Sequence, residues 1–340
     1  MTFFVMSDRG IGEKRTPFYD VAKGICIISV VLGHLGIATR FVYFYHLSIF
    51  FFISGLFLNV KKHSFKDFFL KKIKSLYIPY VIFSLLFAIF FDFSNMTNIK
   101  YVLRIFLFDS KAPFTGTFWF IPCLFINSML AFLTGKVTLN FDMSFRKRIY
   151  YGLFCFYVIL TFIFCKLNFQ FYYNLHLIPW IQIIYILAFL YNSYQLKLFQ
   201  NRFMSLIIGL CAFILLLLAT LFTNFRIDIV NNQFSNSFFW LVIIFIGICF
   251  VFAISFLLQN IKVFSFIGKH SFYIMCFHFI TFALINFCIS GFKNFDLDWR
   301  MKYPTLWYFY IVGGVFLPVG LSVIANYFKK KLIYYLLCKN

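Results

Sequence analysis

Lys23 and His34 lie eleven residues apart in an otherwise apolar stretch, YDVAKGICIISVVLGHLG (residues 19–36), and Asp20 precedes the lysine by three. Eleven residues make three helical turns, so Lys23 and His34 share one face, with Asp20 on it one turn lower. The axial rise from Lys23 to His34 is about 16 Å. A second histidine, His46, opens the next apolar run, FYHLSIFFFISGLF. Imidazole titrates near neutrality and can take or return a proton. Two histidines on neighbouring apolar segments, above a lysine and an aspartate, therefore suggest acid–base chemistry with an anion-attracting charge beneath it.

An ionised side chain at the centre of a membrane helix costs about 2.5–3.5 kcal/mol, so such residues face a bundle interior or a water-filled cavity. Asp20 and Lys23 have an ordinary alternative, which is to snorkel to the interface and pair there. His34 lies too far along the helix for that, and Gly33 beside it leaves room for a close approach. A lone buried histidine is commonly a hydrogen-bonded structural group. Two of them above a polar stripe favour function.

The elements that must position these residues are membrane helices. Of 340 residues, 63% are hydrophobic and 12% charged, with 57 phenylalanines, whereas soluble domains carry about 25% charged residues. The formal charge of +21 does not indicate nucleic-acid binding, because the basic residues lie in short runs between apolar segments and not on one soluble face. The nine cysteines include no CxxC pair and sit mostly in apolar runs, reading as small hydrophobes. No His/Cys/Asp/Glu cluster has metal-ligand spacing, so no metal is expected. No small-residue cleavage site follows the first apolar run, which is read as a retained helix.

Ten runs are long enough to cross a bilayer: about 18–38, 41–60, 77–93, 117–134, 149–166, 176–194, 203–223, 238–258, 270–290 and 304–327. With the N-terminus inside, 21 Lys/Arg fall on the cytoplasmic side and 9 outside, which orients both termini to the cytoplasm. The expected fold is all-α, a single polytopic membrane bundle over residues 1–340, with cytoplasmic ends at 1–17 and 328–340. Between spans two and three, KKHSFKDFFLKKIKSLYIPY (61–80) reads as a basic amphipathic surface helix over 61–76, facing lipid headgroups and entering a span at Pro79. The longest outer loops, 94–116 and 224–237, leave little room for a separate soluble domain. In the first of these, Arg104 lies within the largely apolar run YVLRIFLF and Asp109 follows it, and the run is short enough to be re-entrant.

Five segments, in order, resemble the acyltransferase-3 family of integral-membrane acyltransferases, nearest its sugar O-acetylase branch. DVAKGICIISVVLGH is similar to the family's first-helix signature, a basic residue, ten residues and a histidine. YHLSIFFFISGLFL resembles its F-H-x-P-x-F-F-F-I-S-G segment, with Ser48 at the usual proline and Leu47 at the preceding methionine. KSLYIPY, FWFIPCLF (118–125) and FIGKHSFYIMCFHF, with His278 at the family's histidine, match further segments. Positions often Arg in the family are mostly Lys here, which keeps the charge and loses bidentate phosphate geometry.

The resemblance implies transfer of an acyl group, usually acetyl, from cytosolic acyl-CoA to a hydroxyl of an extracytoplasmic or lipid-linked sugar, in a bacterial cell membrane and with no bound cofactor. Within it, His34 is expected as general base, with an acyl-histidine as the alternative, and His46 as its orienter or proton shuttle. Asp20, Lys23, Lys71, Lys72 and Lys74 are expected on the acyl-CoA side, and Trp119 and Arg104 on the acceptor side. His278, with Ser271 and Tyr273 below it, is expected to be structural; His63, His176 and His270 are expected at interfaces. A transporter or flippase of a lipid-linked sugar is the competing reading. It would often show paired halves or interrupted helices, and neither is visible here.

Overall fold

A computed structural model describes residues 17–109, 118–167, 171–194, 199, 201–223, 227–228, 233–234, 239–292 and 300–337. The expected N-terminal tail before residue 17, residues 110–116 of the first long outer loop and most of 224–237 lie outside these. The described residues form an all-helical bundle with ten helices, or helix pairs, of membrane-spanning length and hydropathy. The only β pairing among them joins Ile227–Asp228 to Gln233–Phe234.

Helix α1 (Pro17–His34) is the first span. The chain reverses within four residues, using left-handed backbone at Gly36 (φ 78°) and Ala38 (φ 49°). The second span is broken into α2 (Thr39–Tyr43) and α3 (Ser48–Leu56). The third starts at α4 (Phe65–Lys72), where Ser64 accepts the Asp67 amide at 3.1 Å. It widens by one π turn at Ile73–Tyr77 and continues as α5 (Ile78–Phe91), with Pro79 in the first turn, where its missing amide hydrogen costs nothing.

The chain then folds back. Helix α6 (Ile99–Phe106) packs Tyr101 and Ile105 against Ala88 of α5. Tyr77 donates to the Phe106 carbonyl at 2.6 Å, and Tyr80 to that of Asp109 at 2.9 Å. Tyr80 lies eleven residues before the end of α5, so this return runs antiparallel for about 16 Å. It turns at Phe108 (φ 65°), whose ring lies 4.6 Å from Tyr80.

Helices α7 (Phe120–Val137), α8 (Met143–Lys166), α9 (Ile178–Ser193), α10 (Arg202–Phe222) and α11 (Phe239–Leu257) complete spans four to eight. Helix α8 starts six residues before the apolar run because Asp142 caps it, accepting the Phe145 amide at 2.9 Å. A short helix, α12 (Lys262–Lys269), precedes α13 (Ser271–Ile289), and α14 (Trp307–Leu337) is last.

Helix α1 is central, packing on α2, α3, α11, α12, α13 and α14. Helix α3 lies beside it and packs in turn on α9, joined by Tyr185 donating to Ser54 at 2.8 Å. By contrast α10 rests on α11 and α2 and exposes Leu206, Leu210, Leu217 and Leu221, an apolar face suited to lipid. The buried amides of α7 and α9 meet each other: Gln182 donates to both Asn127 oxygens at 2.9 Å, since an unpaired amide in an apolar bundle is costly.

Candidate active site

Asp20 and Lys23 form an ion pair of 2.8 Å on the inner part of α1, with side chains 3% and 15% exposed. Helix α12 crosses α1 at this level. A Cβ at Gly268 would lie 1.7 Å from the Asp20 carbonyl oxygen, and one at Gly24 would lie 2.2 Å from that of Phe264. Only glycine permits so close a crossing. It brings α13, which follows α12 directly, alongside α1 and running the same way.

This parallel course sets two histidines together. His34 is half-buried at the end of α1, and its ring centroid lies 5.1 Å from that of His278 on α13 and 4.7 Å from that of Phe279. His278 is fully buried, and its Nδ1 is 2.8 Å from the Ile274 carbonyl. A carbonyl only accepts, so Nδ1 carries the hydrogen and Nε2 presents a lone pair. Among the described residues that Nε2 has no hydrogen-bond partner.

His46 follows the same logic. Its Nδ1 bonds the Val42 carbonyl at 2.8 Å, and its backbone amide donates to the same oxygen at 3.1 Å. This doubly used carbonyl lies where α2 gives way to α3. The His46 ring packs on Tyr43 at 4.8 Å, and Tyr43 in turn lies over Gly33, where a Cβ would meet Tyr43 Cε1 at 2.6 Å. The room left by Gly33 is therefore filled by tyrosine.

The remaining residues spread around this centre. Trp119 is buried at the start of α7, edge-on to Phe120 at 6.3 Å. Arg104 Nε lies 3.3 Å from the buried Asp109 carboxylate, and the arginine side chain is 52% exposed. Lys72 is buried with its ammonium 5.1 Å above the Phe68 ring, Lys71 is partly exposed and Lys74 is exposed. Phe68 stacks on Phe132 of α7 at 4.1 Å and 7°, and Lys136 lies 5.6 Å from the other member of that stack. His176 is buried and takes the Phe171 amide on Nδ1 at 3.1 Å. His270 bonds Ser322 at 2.8 Å; burial, with Lys269 beside it, holds its imidazole below the usual range. Among the described residues, no group of three His, Cys, Asp or Glu is placed to hold a metal.

Sequence reasoning placed His278 among the structural histidines. Its Nδ1 does bond a backbone carbonyl, and its ring also lies against His34, a contact visible only once α1 and α13 are known to run together. Chemically, the site offers one half-buried imidazole, that of His34, beside a fully buried one whose Nε2 presents a lone pair. That suits taking a proton from a weak acid such as a hydroxyl.

A family model described as an acyltransferase domain matches residues 16–324. Searches of curated proteins and of solved structures gave no match.

Proposed function

Because the chain belongs to the acyltransferase-3 family and is a multi-pass membrane acyltransferase, we propose that it moves an acyl group, usually acetyl, from acyl-CoA to a sugar hydroxyl. The acceptor is an extracytoplasmic or lipid-linked sugar of a bacterial surface polysaccharide. The observation that carries this reading is the pairing of His34 and His278 within the bundle, 5.1 Å apart, above the Asp20–Lys23 pair.

His34 acts as general base. One imidazole nitrogen takes the proton of the acceptor hydroxyl as the oxygen attacks the thioester carbonyl. The tetrahedral intermediate then expels the CoA thiolate, which receives the proton back from His34, leaving an ester and free CoA thiol. His278 holds His34 in orientation and, through Nε2, accepts a hydrogen bond from its other nitrogen or from the hydroxyl. His46, fixed by Val42 and Tyr43, lends the same support from the other side. On the donor side Lys23, steadied by Asp20, and Lys71, Lys72 and Lys74 draw the anionic donor to its entrance. On the acceptor side Trp119 offers a stacking face and Arg104 a hydrogen-bond donor.

The test uses inverted membrane vesicles, radiolabelled acetyl-CoA and glycan acceptors, reading free CoA thiol and label in glycan together. Equal release of thiol and gain of label supports the reading. Sugar movement across the vesicle membrane with no consumption of acetyl-CoA contradicts it and favours a flippase.

A further inference from the structure

Away from the histidines, a cavity of about 620 Å³ lies among the inner ends of α3, α7, α8 and α9, within the range of small-molecule and cofactor sites, about 300–1,000 Å³. Tyr19 of α1 touches it on one side and Gln182 of α9 closes its deep end. From Ser193 at the rim to Gln182 is eleven residues, so it reaches about 16 Å inward. Its rim lies on the side that the basic residues mark as cytoplasmic.

The wall holds Arg146, which is 7% exposed. Its guanidinium lies 5.4 Å above the Phe189 ring and close to the Tyr150 hydroxyl, while its Nε has no partner among the described residues. Tyr150 and Phe189 stack on each other at 3.7 Å and 14°. Among the described residues no acidic one lines the cavity, and Lys61 adds a second cation at the rim. The nearest carboxylate in sequence, Asp142, caps α8. Arginine is always charged, and a buried charge without a counter-ion is strongly disfavoured. A protein that keeps one in an open, aromatic-walled cavity keeps it for an anion that arrives there. A fork of guanidinium donors suits phosphate oxygens, and an aromatic stack suits a planar or apolar group attached to that phosphate.

We propose that this cavity binds a phosphate group of an amphipathic ligand through Arg146, and, resting on the function proposed above, that the ligand is the nucleotide end of the acyl-CoA donor. The shared chemistry, a phosphate carried on an apolar or aromatic body, also belongs to phospholipid headgroups, and the test separates the two.

The full-length protein is placed in phosphatidylcholine nanodiscs. Binding of CoA and of adenosine 3′,5′-bisphosphate is measured by calorimetry and by the rise in thermal unfolding temperature, for wild type, Arg146→Gln and Arg146→Lys. Expected are binding by wild type, a loss of about tenfold or more in Arg146→Gln, in line with one charge-assisted contact, and an intermediate result for Arg146→Lys. Ligand-free Arg146→Gln should unfold no lower than wild type, because an uncompensated charge has been removed. Equal binding by wild type and Arg146→Gln overturns the proposal, as does no binding of either ligand. So does an Arg146→Gln protein that is less stable yet keeps the full ligand-induced shift, which marks Arg146 as structural. Nanodiscs containing phosphatidylglycerol form the lipid arm: retention of that lipid by wild type and not by Arg146→Gln, with CoA excluded, assigns the cavity to lipid and overturns the donor reading. Acetyl transfer that is intact in Arg146→Gln and lost in His34→Ala removes this inference and leaves the proposed function standing. Absence of acetyl-CoA consumption in every variant removes the function itself.

Discussion

Replacing Gly268 by alanine tests the crossing that brings the two histidines together. The added carbon would lie 1.7 Å from the Asp20 carbonyl oxygen, 2.7 Å from its carbon and 2.8 Å from the Gly24 nitrogen. Every one of these is backbone, so no side chain can swing aside. Ordinary carbon contacts start near 3.5 Å, so α12 would have to move off α1 by about 1.5–2 Å. Overpacking of this kind costs about 1–3 kcal/mol, and two helices pressed backbone to backbone put this site at the upper end. Alanine's better helix propensity returns at most about 1 kcal/mol, leaving a net loss of about 2 kcal/mol. Gly152→Ala on α8 is the internal control, since nothing lies within 4 Å of its Cβ, and there propensity alone should raise stability by about 0.5–1 kcal/mol. The assay is thermal unfolding in nanodiscs by tryptophan fluorescence, followed by acyl transfer at matched protein. The two alanines should move the unfolding temperature in opposite directions, and only Gly268→Ala should impair transfer, because α12 carries α13 and His278 with it. Equal unfolding temperatures, or a Gly268→Ala protein with full activity, would refute the crossing.

Three further outcomes follow from the same geometry. His278→Ala should lower acyl transfer about 10²-fold or more, as expected when acid–base support is lost, with the unfolding temperature monitored to exclude collapse of the bundle; unchanged turnover would return His278 to a purely structural role. Asp20→Ala should destabilise the protein by up to about 3–5 kcal/mol, lessened because Lys23 keeps 15% of its side chain exposed, and the double change Asp20→Leu with Lys23→Met should recover most of the loss in unfolding temperature. In a cysteine-free background, Asn95→Cys should react from the outer side with a membrane-impermeant maleimide while Leu107→Cys should not, because the Tyr77 and Tyr80 hydroxyls hold residues 106–109 back along α5; equal labelling would deny the fold-back.

The spans were legible because lipid imposes long apolar runs, and the His34–Lys23 spacing was legible because a helix has a fixed period. What escaped was whatever depends on which helices are neighbours. His278 looked like a satisfied core histidine since nothing local says that α13 runs beside α1 in the same direction. Arg146 sits in RKR at a span boundary, where a basic run reads as an interfacial anchor. Only the cap at Asp142 and the packing of Phe189 draw that arginine inward. Helices α6 and α12 have eight residues each, too few for periodicity to separate them from loops. The glycines at 24 and 268 carry no local sign of the backbone contact they permit. The room beside His34 was foreseen at Gly33, but its occupant, Tyr43, was not.

The central claim is that His34 takes the acceptor's proton, and comparing wild type with His34→Ala in inverted vesicles tests it most directly. Both proteins are brought to matched expression and matched unfolding temperature, and radiolabelled acetyl-CoA is followed into glycan. The account predicts labelled glycan from wild type and a fall of about 10²–10⁴-fold in His34→Ala. Equal incorporation by both would remove His34 from the chemistry and contradict the account.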